Sequence, residues 1–249
     1  MTKPSPAVEA ACLSDLGQVR QNNEDAWFCD PDGRLFLVSD GMGGHAGGEV
    51  ASSLVAETIA AAAAAAAAWE SPERELPALL AQANARVLER ARGPLSGMGA
   101  TAVLLFIQGK RGWVCHAGDS RAYRWREGTL AQLTVDHTPE NELGLDAYGR
   151  HLDLPDVRRA SPRRRRSGMI TRAVGIGPDL ESDTRAVDVR PGDRFLLCSD
   201  GLTDLVSPAR IADLLSAAAA PADACRALVE AALAAGGLDN VTVMVIHSA

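Results

Sequence analysis

Short acidic stretches at the ends of apolar runs are the residues of this chain best suited to chemistry. They are Asn-Glu-Asp at 23–25, Ser-Asp-Gly at 39–41, Gly-Asp-Ser at 118–120, Ser-Asp-Gly at 199–201 and Asp-Asn at 239–240. If these carboxylates converge they must be neutralised, because two like charges 4 Å apart repel by about 4 kcal/mol at an effective dielectric of 20. A cation, protonation or arginine partners could do this. Carboxylate and backbone oxygens suit Mg²⁺ or Mn²⁺, which makes a divalent-metal site the leading interpretation.

The elements that must position these residues can be read from apolar periodicity and turn signals. Strands, two helices, many strands, two helices and a last strand follow one another, which is not an alternating βαβ order. This order predicts an α+β fold with helices covering antiparallel sheets. The predicted elements are a strand at 8–16, a hairpin at 26–29 and 35–38, helices at 47–69 and 73–92, an antiparallel meander over 102–133, a strand pair at 184–189 and 194–198, helices at 208–219 and 222–234, and a strand at 241–246.

Composition narrows the class of protein. The chain has 249 residues, 47% of them apolar, and no long linker, so a single domain over 1–249 is expected. The net charge of −7 argues against nucleic-acid binding. The five cysteines are scattered without Cys-x-x-Cys spacing, which indicates reduced thiols in a cytoplasmic protein. The N-terminus shows no signal-peptide pattern, and the alanine-rich stretch at 57–70 is too short to span a membrane.

A set of motifs runs through the chain in a fixed order. They are Arg20-x-x-Asn-Glu-Asp25, Asp40-Gly-Met-Gly-Gly-His45, Gly97-Met-Gly-Ala-Thr101, Ala117-Gly-Asp-Ser-Arg121, Leu133-Thr-x-Asp-His-Thr138, Ile170-Thr-Arg-Ala-Val-Gly175, Ser199-Asp-Gly-Leu-x-Asp204 and Asp239-Asn-Val-Thr242. In this order and spacing they resemble the metal-dependent protein phosphatases (PPM, the protein phosphatase 2C type), and in particular the bacterial serine/threonine phosphatases. The resemblance extends from about residue 9 to 247.

The resemblance implies a fold, a reaction and partners. The fold is a four-layer αββα sandwich, with two antiparallel sheets flanked by helix pairs and a variable flap at about 138–168. The reaction is hydrolysis of phosphoserine and phosphothreonine by a hydroxide that bridges a dinuclear Mn²⁺ or Mg²⁺ centre. The expected partners are phosphoprotein substrates and a cognate serine/threonine kinase. The protein is expected to be a cytoplasmic monomer that binds neither nucleic acid nor membrane.

The resemblance also implies a ligand set for the cations. Asp40 corresponds to the carboxylate that bridges the two core ions, and Gly41 corresponds to the backbone carbonyl ligand. Asp200 and Asp239 correspond to the remaining carboxylate ligands. A third, weaker ion would be held by Asp119 together with Asp200 or Asp204.

Three further residues have implied roles around the cations. Glu24 and Asp25 correspond to the acidic pair that orients metal-bound waters. Arg20 corresponds to the phosphate-binding arginine, whose planar guanidinium can hold two phosphate oxygens at once. The two ions would lower the pKa of a shared water towards about 7, so no catalytic cysteine or serine is expected.

The identity of the general acid stays open. Some eukaryotic members carry a histidine directly after the Asp-Gly pair, whereas this chain has Met42, which cannot donate a proton. A metal-bound water or a better leaving group could remove the need for it. His45 is a further candidate, although packing at the start of the following helix would equally explain it.

Two other features leave alternatives. Six arginines between Arg158 and Arg166 could form a solvated loop, dock acidic phosphopeptides or accept phosphate at Ser161. For the whole chain, a non-catalytic phosphoprotein-binding module and a nucleic-acid binder are the competing functions. Loss of a metal-ligating aspartate would favour the first, and none is lost; the acidic net charge disfavours the second.

Overall fold

The computed structural model describes residues 8–42, 46–65, 69–142 and 169–249. Two antiparallel sheets form its centre, and the strands that carry the acidic stretches are distributed over both of them. The strands are β1 (Val8–Asp15), β2 (Asp25–Cys29), β3 (Leu35–Met42), β4 (Gly99–Ala100), β5 (Ala102–Gln108), β6 (Arg111–Ala117), β7 (Arg121–Arg126), β8 (Thr129–Gln132), β9 (Asp183–Asp188), β10 (Arg194–Cys198) and β11 (Val241–Ser248).

The first sheet has the strand order β1-β11-β10-β7-β8, and the second has the order β2-β3-β5-β6-β9, with β4 added beside β3. The apolar residues that the two sheets turn towards each other form one buried cluster, including Phe36, Val103, Phe195 and Met244. β3, β5, β10 and β11 are therefore buried on both faces, which explains why they read as continuous apolar runs rather than as alternating ones.

The described residues form four long α-helices, which cover the outer faces of the sheets, and two α-helices of four residues each. They are α1 (Ala46–Ala65), α2 (Pro72–Arg90), α3 (Pro139–Glu142), α4 (Asp200–Thr203), α5 (Pro208–Ala217) and α6 (Pro221–Ala234). The apolar sides of α1 and α2 pack on the second sheet, and α5 and α6 pack on the first. This is the predicted four-layer αββα arrangement, with the core divided into three apolar layers. Within the described residues, no helix combines the length and the apolarity that crossing a membrane requires.

Two of the predicted strand pairings are wrong. The predicted meander over 102–133 is divided between the sheets, because β5 and β6 belong to the second sheet whereas β7 and β8 belong to the first. The predicted pair at 184–198 is also divided, since β9 pairs with β6, and β10 pairs with β7 and β11. The chain changes sheet at Gly118, whose φ is +105°, and again around Gly192, whose φ is +85°. Each connection is as short as a hairpin, which is why the sequence pattern resembles one.

Candidate active site

Five aspartates from both sheets meet at one end of the sandwich. Asp25 and Asp40 are cross-strand partners on β2 and β3. Asp119 lies in the crossing between β6 and β7, Asp200 begins α4 directly after β10, and Asp239 precedes β11. Burial raises the pKa of Asp40 well above its usual range, and the charges of Asp25, Asp200, Asp119 and Asp239 raise it further. The structure therefore brings these predicted residues together as one acidic cluster that needs a counter-charge.

The carboxylate of Asp25 is held by the other sheet. Ser199, at the end of β10, donates its hydroxyl hydrogen to Oδ2 of Asp25 at 2.8 Å. Ser199 also accepts the backbone N–H of Thr242 at its Oγ, at 3.0 Å, so that β10, β11 and β2 are joined at this point. The second oxygen, Oδ1, is buried and accepts no hydrogen bond from the part of the chain that the structure describes. Burial raises the pKa of Asp25 to about 6, although neighbouring hydroxyls stabilise its charged form.

Close backbone approach explains two glycines beside this cluster. A Cβ on Gly41 would overlap the carbonyl oxygen of Gly48, and a Cβ on Gly48 would overlap Oε2 of Glu24. The N–H of Gly41 donates to the carbonyl oxygen of Glu24 at 3.0 Å, and the hydroxyl of Ser52 donates to the same oxygen at 2.6 Å. Only glycine allows β3, α1 and the start of β2 to meet so closely.

Arg20 lies beside the acidic cluster. Its Nη2 donates to Oδ2 of Asp239 at 2.7 Å, and both side chains are more than a third exposed. The hydrogen bond to Asp239 and the charges of Asp239, Glu24 and Asp40 raise the pKa of Arg20. A shallow pocket of about 180 Å³ opens next to it, lined by Arg20, Gln21, Asn22, Glu24 and Asn240. A fixed positive charge thus stands at the entrance to an anionic centre.

Asn240 lies at the site, although the sequence pattern predicted no role for it. Its Oδ1 accepts the backbone N–H of Glu24 at 2.8 Å. Its Nδ2 donates to the carbonyl oxygens of Leu16 and Asn22 at 2.9 and 3.0 Å. The buried amide therefore ties the segment between β1 and β2, which carries Arg20, to the start of β11, next to Asp239. The Asp-Asn pair ahead of an apolar strand was the available signal for it.

The remaining candidates follow Asp200 and Asp40 in the chain or lie outside the described residues. Asp204 lies one turn beyond Asp200, where its N–H donates to the Asp200 carbonyl at 2.9 Å, and its side chain is exposed. The end of the Met42 side chain packs close to Gly99. His45, the arginine run at 158–166 and all but the first residues of the predicted flap lie outside the described residues.

A second group of metal-ligand residue types, His116, His137 and Asp183, lies close to Gly118. The two imidazole rings are stacked with centroids 4.5 Å apart. Nδ1 of His137 accepts the N–H of Gly118 at 3.1 Å, so the neutral ring carries its proton on Nε2. Nε2 of His116 donates to the carbonyl oxygen of Val135 at 2.9 Å. His137 thus has no lone pair to offer a cation, and it supports the Gly118 turn instead.

Comparison with known proteins agrees with this geometry. The family profile described as protein phosphatase 2C matches residues 17–235. The chain belongs to the protein phosphatase 2C family. Among curated relatives, the serine/threonine protein phosphatase PstP of Mycobacterium tuberculosis is 39% identical over 246 residues, covering 98% of this chain and 46% of that protein. Protein phosphatase PhpP of Streptococcus pneumoniae is 33% identical over 251 residues, covering 96% of this chain and 97% of that protein.

A solved structure of the family is similar over almost the whole chain. The PstP catalytic domain in complex with two manganese ions superposes with a TM-score of 0.84 at 36% identity, covering 96% of this chain and 97% of that one. The αββα sandwich predicted from the sequence is therefore confirmed. This chain spans about half the length of the PstP relatives that it matches.

Proposed function

We propose that this chain is a metal-dependent protein phosphatase that hydrolyses phosphoserine and phosphothreonine with Mn²⁺ or Mg²⁺. The observation that carries the proposal is the convergence of Asp25, Asp40, Asp119, Asp200 and Asp239 from both sheets. Burying this much like charge is unfavourable unless a cation neutralises it. Two further findings support this proposal: relatives are named serine/threonine or protein phosphatases, and the similar PstP catalytic domain was solved with two manganese ions.

The residues present fit a divalent-metal centre. The candidate donors are all oxygens, and Oδ1 of Asp25 is a buried acceptor to which no described residue donates a hydrogen bond. Asp40, the carbonyl of Gly41, Asp200 and Asp239 would hold the two core ions, and Asp119 with Asp200 or Asp204 would hold a third. Each predicted carboxylate ligand is present, which favours an enzyme over a phosphoprotein-binding module that has lost its chemistry.

The ions, when bound, supply an activated water and offset the negative charge that develops on the phosphoryl group. The residues of the chain orient the reactants. Glu24 and Asp25 accept hydrogen bonds from water at the centre, and Ser199 fixes the orientation of Asp25 by holding its other oxygen. Arg20 holds two phosphate oxygens with its guanidinium once substrate replaces Asp239 as its partner. Met42 has no proton to give, so the proton for the leaving alkoxide must come from another donor, such as water.

The proposal extends to the setting of the enzyme. The substrates are phosphoproteins, and a serine/threonine kinase acting on the same proteins is the expected counterpart. The pairing of β1 with β11, from opposite ends of the described chain, supports a single domain. The five cysteines are all unpaired, which supports a reducing compartment such as the cytoplasm.

Turnover of a phosphothreonine peptide by the metal-stripped chain tests the proposal. We expect no hydrolysis in EDTA and restoration by added Mn²⁺ or Mg²⁺, with p-nitrophenyl phosphate behaving in the same way. Asp239→Asn should not be restored by either ion. Full activity after metal removal would contradict the proposal, and so would binding of the phosphopeptide without hydrolysis at any metal concentration.

A further inference from the structure

Thr101 connects the two parts of the acidic cluster that come from different segments of the chain. It follows β4, begins the run into β5 and is only 4% exposed. Its N–H donates to the carbonyl oxygen of Asp40 at 2.8 Å, and its Oγ1 accepts the N–H of Asp40 at 2.9 Å. Ser39 precedes Asp40 in the chain, and its hydroxyl donates to the Thr101 carbonyl at 2.7 Å. Thr101 is thus hydrogen-bonded to both backbone polar groups of Asp40, its N–H and its carbonyl oxygen.

The same side chain contacts both neighbours of Asp119. Its Oγ1 is hydrogen-bonded to Oγ of Ser120 at 2.7 Å, and both hydroxyls are buried. Its Cβ and Cγ2 lie against Gly118, where an added Cβ would be 2.7 Å from each of them. Gly118 has a φ of +105°, a conformation that only glycine adopts readily, so the turn carrying Asp119 is shaped around this threonine.

His137 also holds this turn, through two hydrogen bonds to Gly118. The backbone N–H of His137 donates to the carbonyl oxygen of Gly118 at 3.0 Å, and its ring Nδ1 accepts the backbone N–H of Gly118 at 3.1 Å. The turn therefore has little freedom of its own. The hydroxyl pair of Thr101 and Ser120 joins this turn to the backbone of Asp40.

We propose that Thr101 is a positioning residue that couples Asp40 to Asp119 through its hydroxyl, and thereby sets the affinity of the weaker, third cation. The inference rests on the proposed function, because that function makes Asp40 a core ligand and Asp119 a ligand of the third ion. Groups that orient metal ligands without touching the metal typically change its affinity by about 10- to 100-fold.

Two substitutions separate the hydroxyl from the rest of the side chain. Thr101→Val keeps the methyl that packs on Gly118 but removes the hydroxyl, whereas Thr101→Ser keeps the hydroxyl. Ser120→Ala removes the other half of the bridge and leaves the contacts between Thr101 and Asp40 in place. Thr58→Val is a matched control, because Thr58 is buried on α1, where its hydroxyl donates to the Leu54 carbonyl at 2.7 Å.

Calorimetric titration of each metal-stripped variant with Mn²⁺ is the test, with thermal unfolding and peptide kinetics measured on the same samples. We expect Thr101→Val and Ser120→Ala to weaken the low-affinity binding event by about tenfold, with the high-affinity events retained. Thr101→Ser should stay close to the parent chain, and Thr58→Val should lower the unfolding temperature without changing any cation affinity.

A double variant decides whether the effect passes through Asp119. In an Asp119→Ala background, Thr101→Val should cause no further loss of cation affinity, because the group that it positions is absent. A separate tenfold loss there, or an unchanged low-affinity event in Thr101→Val alone, would overturn the inference. A parent chain that binds no Mn²⁺ or hydrolyses no phosphopeptide would instead overturn the proposed function, so the two failures are distinguishable.

Discussion

Arg20 and Asp239 are bonded to each other, with Nη2 of the arginine 2.7 Å from Oδ2 of the aspartate. The proposed roles of the two residues are different: Arg20 is to hold phosphate and Asp239 is to hold a cation. The hydrogen bond occupies Nη2 of Arg20 and Oδ2 of Asp239, so both groups are fully available to phosphate and metal only when it breaks. Exposed ion pairs contribute only about 0–1 kcal/mol, so the bond can exchange readily for phosphate on one side and metal on the other.

Arg20→Ala should therefore affect substrate and cation in opposite ways. We expect kcat/KM for a phosphothreonine peptide to fall by about 2–3 kcal/mol of transition-state stabilisation, the range for hydrogen bonds to a charged group. Mn²⁺ affinity should be unchanged or a few-fold higher, because Asp239 loses a competitor. Arg20→Lys keeps the charge but not the planar guanidinium and should be intermediate. An unchanged kcat/KM in Arg20→Ala would remove this residue from the site.

Asp40→Asn should stabilise the fold while abolishing its response to metal. The pKa of Asp40 is raised by burial and by four neighbouring carboxylates, so removing its charge relieves repulsion in the metal-free chain. The gain in unfolding free energy should be about 1–4 kcal/mol, the range for like charges at contact distance between water and an effective dielectric of 20. Urea unfolding in EDTA and in Mn²⁺ measures both effects.

The control for that experiment is Asp32→Asn, in the exposed turn between β2 and β3, where the aspartate side chain is 73% exposed. It should leave stability nearly unchanged in both conditions. If the Asp40→Asn chain is less stable than the parent chain in EDTA, or is still stabilised by Mn²⁺, the carboxylate is not part of a repulsive metal site.

Asp119→Ala should leave the two core ions bound and slow turnover. Asp119 lies in the crossing between the sheets, whereas the proposed core ligands Asp40, Asp200 and Asp239 are carried by other segments. Calorimetry with Mn²⁺ alongside kinetics measures the number of ions and the rate together. Loss of all binding events in this variant would contradict the assignment of a separate, weaker site.

A stability prediction concerns the opposite end of β10. Asp193 is 1% exposed and receives Nε and Nη2 of Arg126 at 2.6 Å on its two oxygens. Removing one partner of a buried pair leaves an uncompensated charge, so Arg126→Leu should cost about 3–5 kcal/mol in urea unfolding. The double variant Arg126→Leu, Asp193→Leu should recover part of that loss. Equal stability of the parent chain and Arg126→Leu would contradict the role given to this pair.

The sequence predicted most element boundaries within a few residues but not the sheet to which each strand belongs. Leu104 and Leu197 look alike in the sequence, since both lie in continuous apolar runs that are buried on both faces. Which strand lies beside each run depends on contacts far along the chain, such as β1 with β11. The crossings at Gly118 and Gly192 have the composition of hairpin turns, and only tertiary packing distinguishes the two cases.

The aspartates of the site could be predicted because each ends or precedes an apolar run and belongs to a motif. The roles of the residues that hold them in place could not be predicted, although those residues stand in the same motifs. Thr101, Ser199 and Asn240 act through hydrogen bonds to backbone or carboxylate groups that are distant in sequence, and a hydroxyl or amide carries no sign of its partner. Their proximity to the aspartates is visible only after the two sheets have been brought face to face.

The most direct test is a Mn²⁺ titration of the metal-stripped chain. Calorimetry measures the binding of the ions, and turnover of a phosphothreonine peptide is measured at the same Mn²⁺ concentrations. We expect no turnover before metal is added, and turnover that rises as the high-affinity ions bind. Asp239→Asn should lose both the binding and the turnover. Full turnover of the metal-stripped chain, or an Asp239→Asn variant that binds and hydrolyses like the parent, would contradict the proposed function.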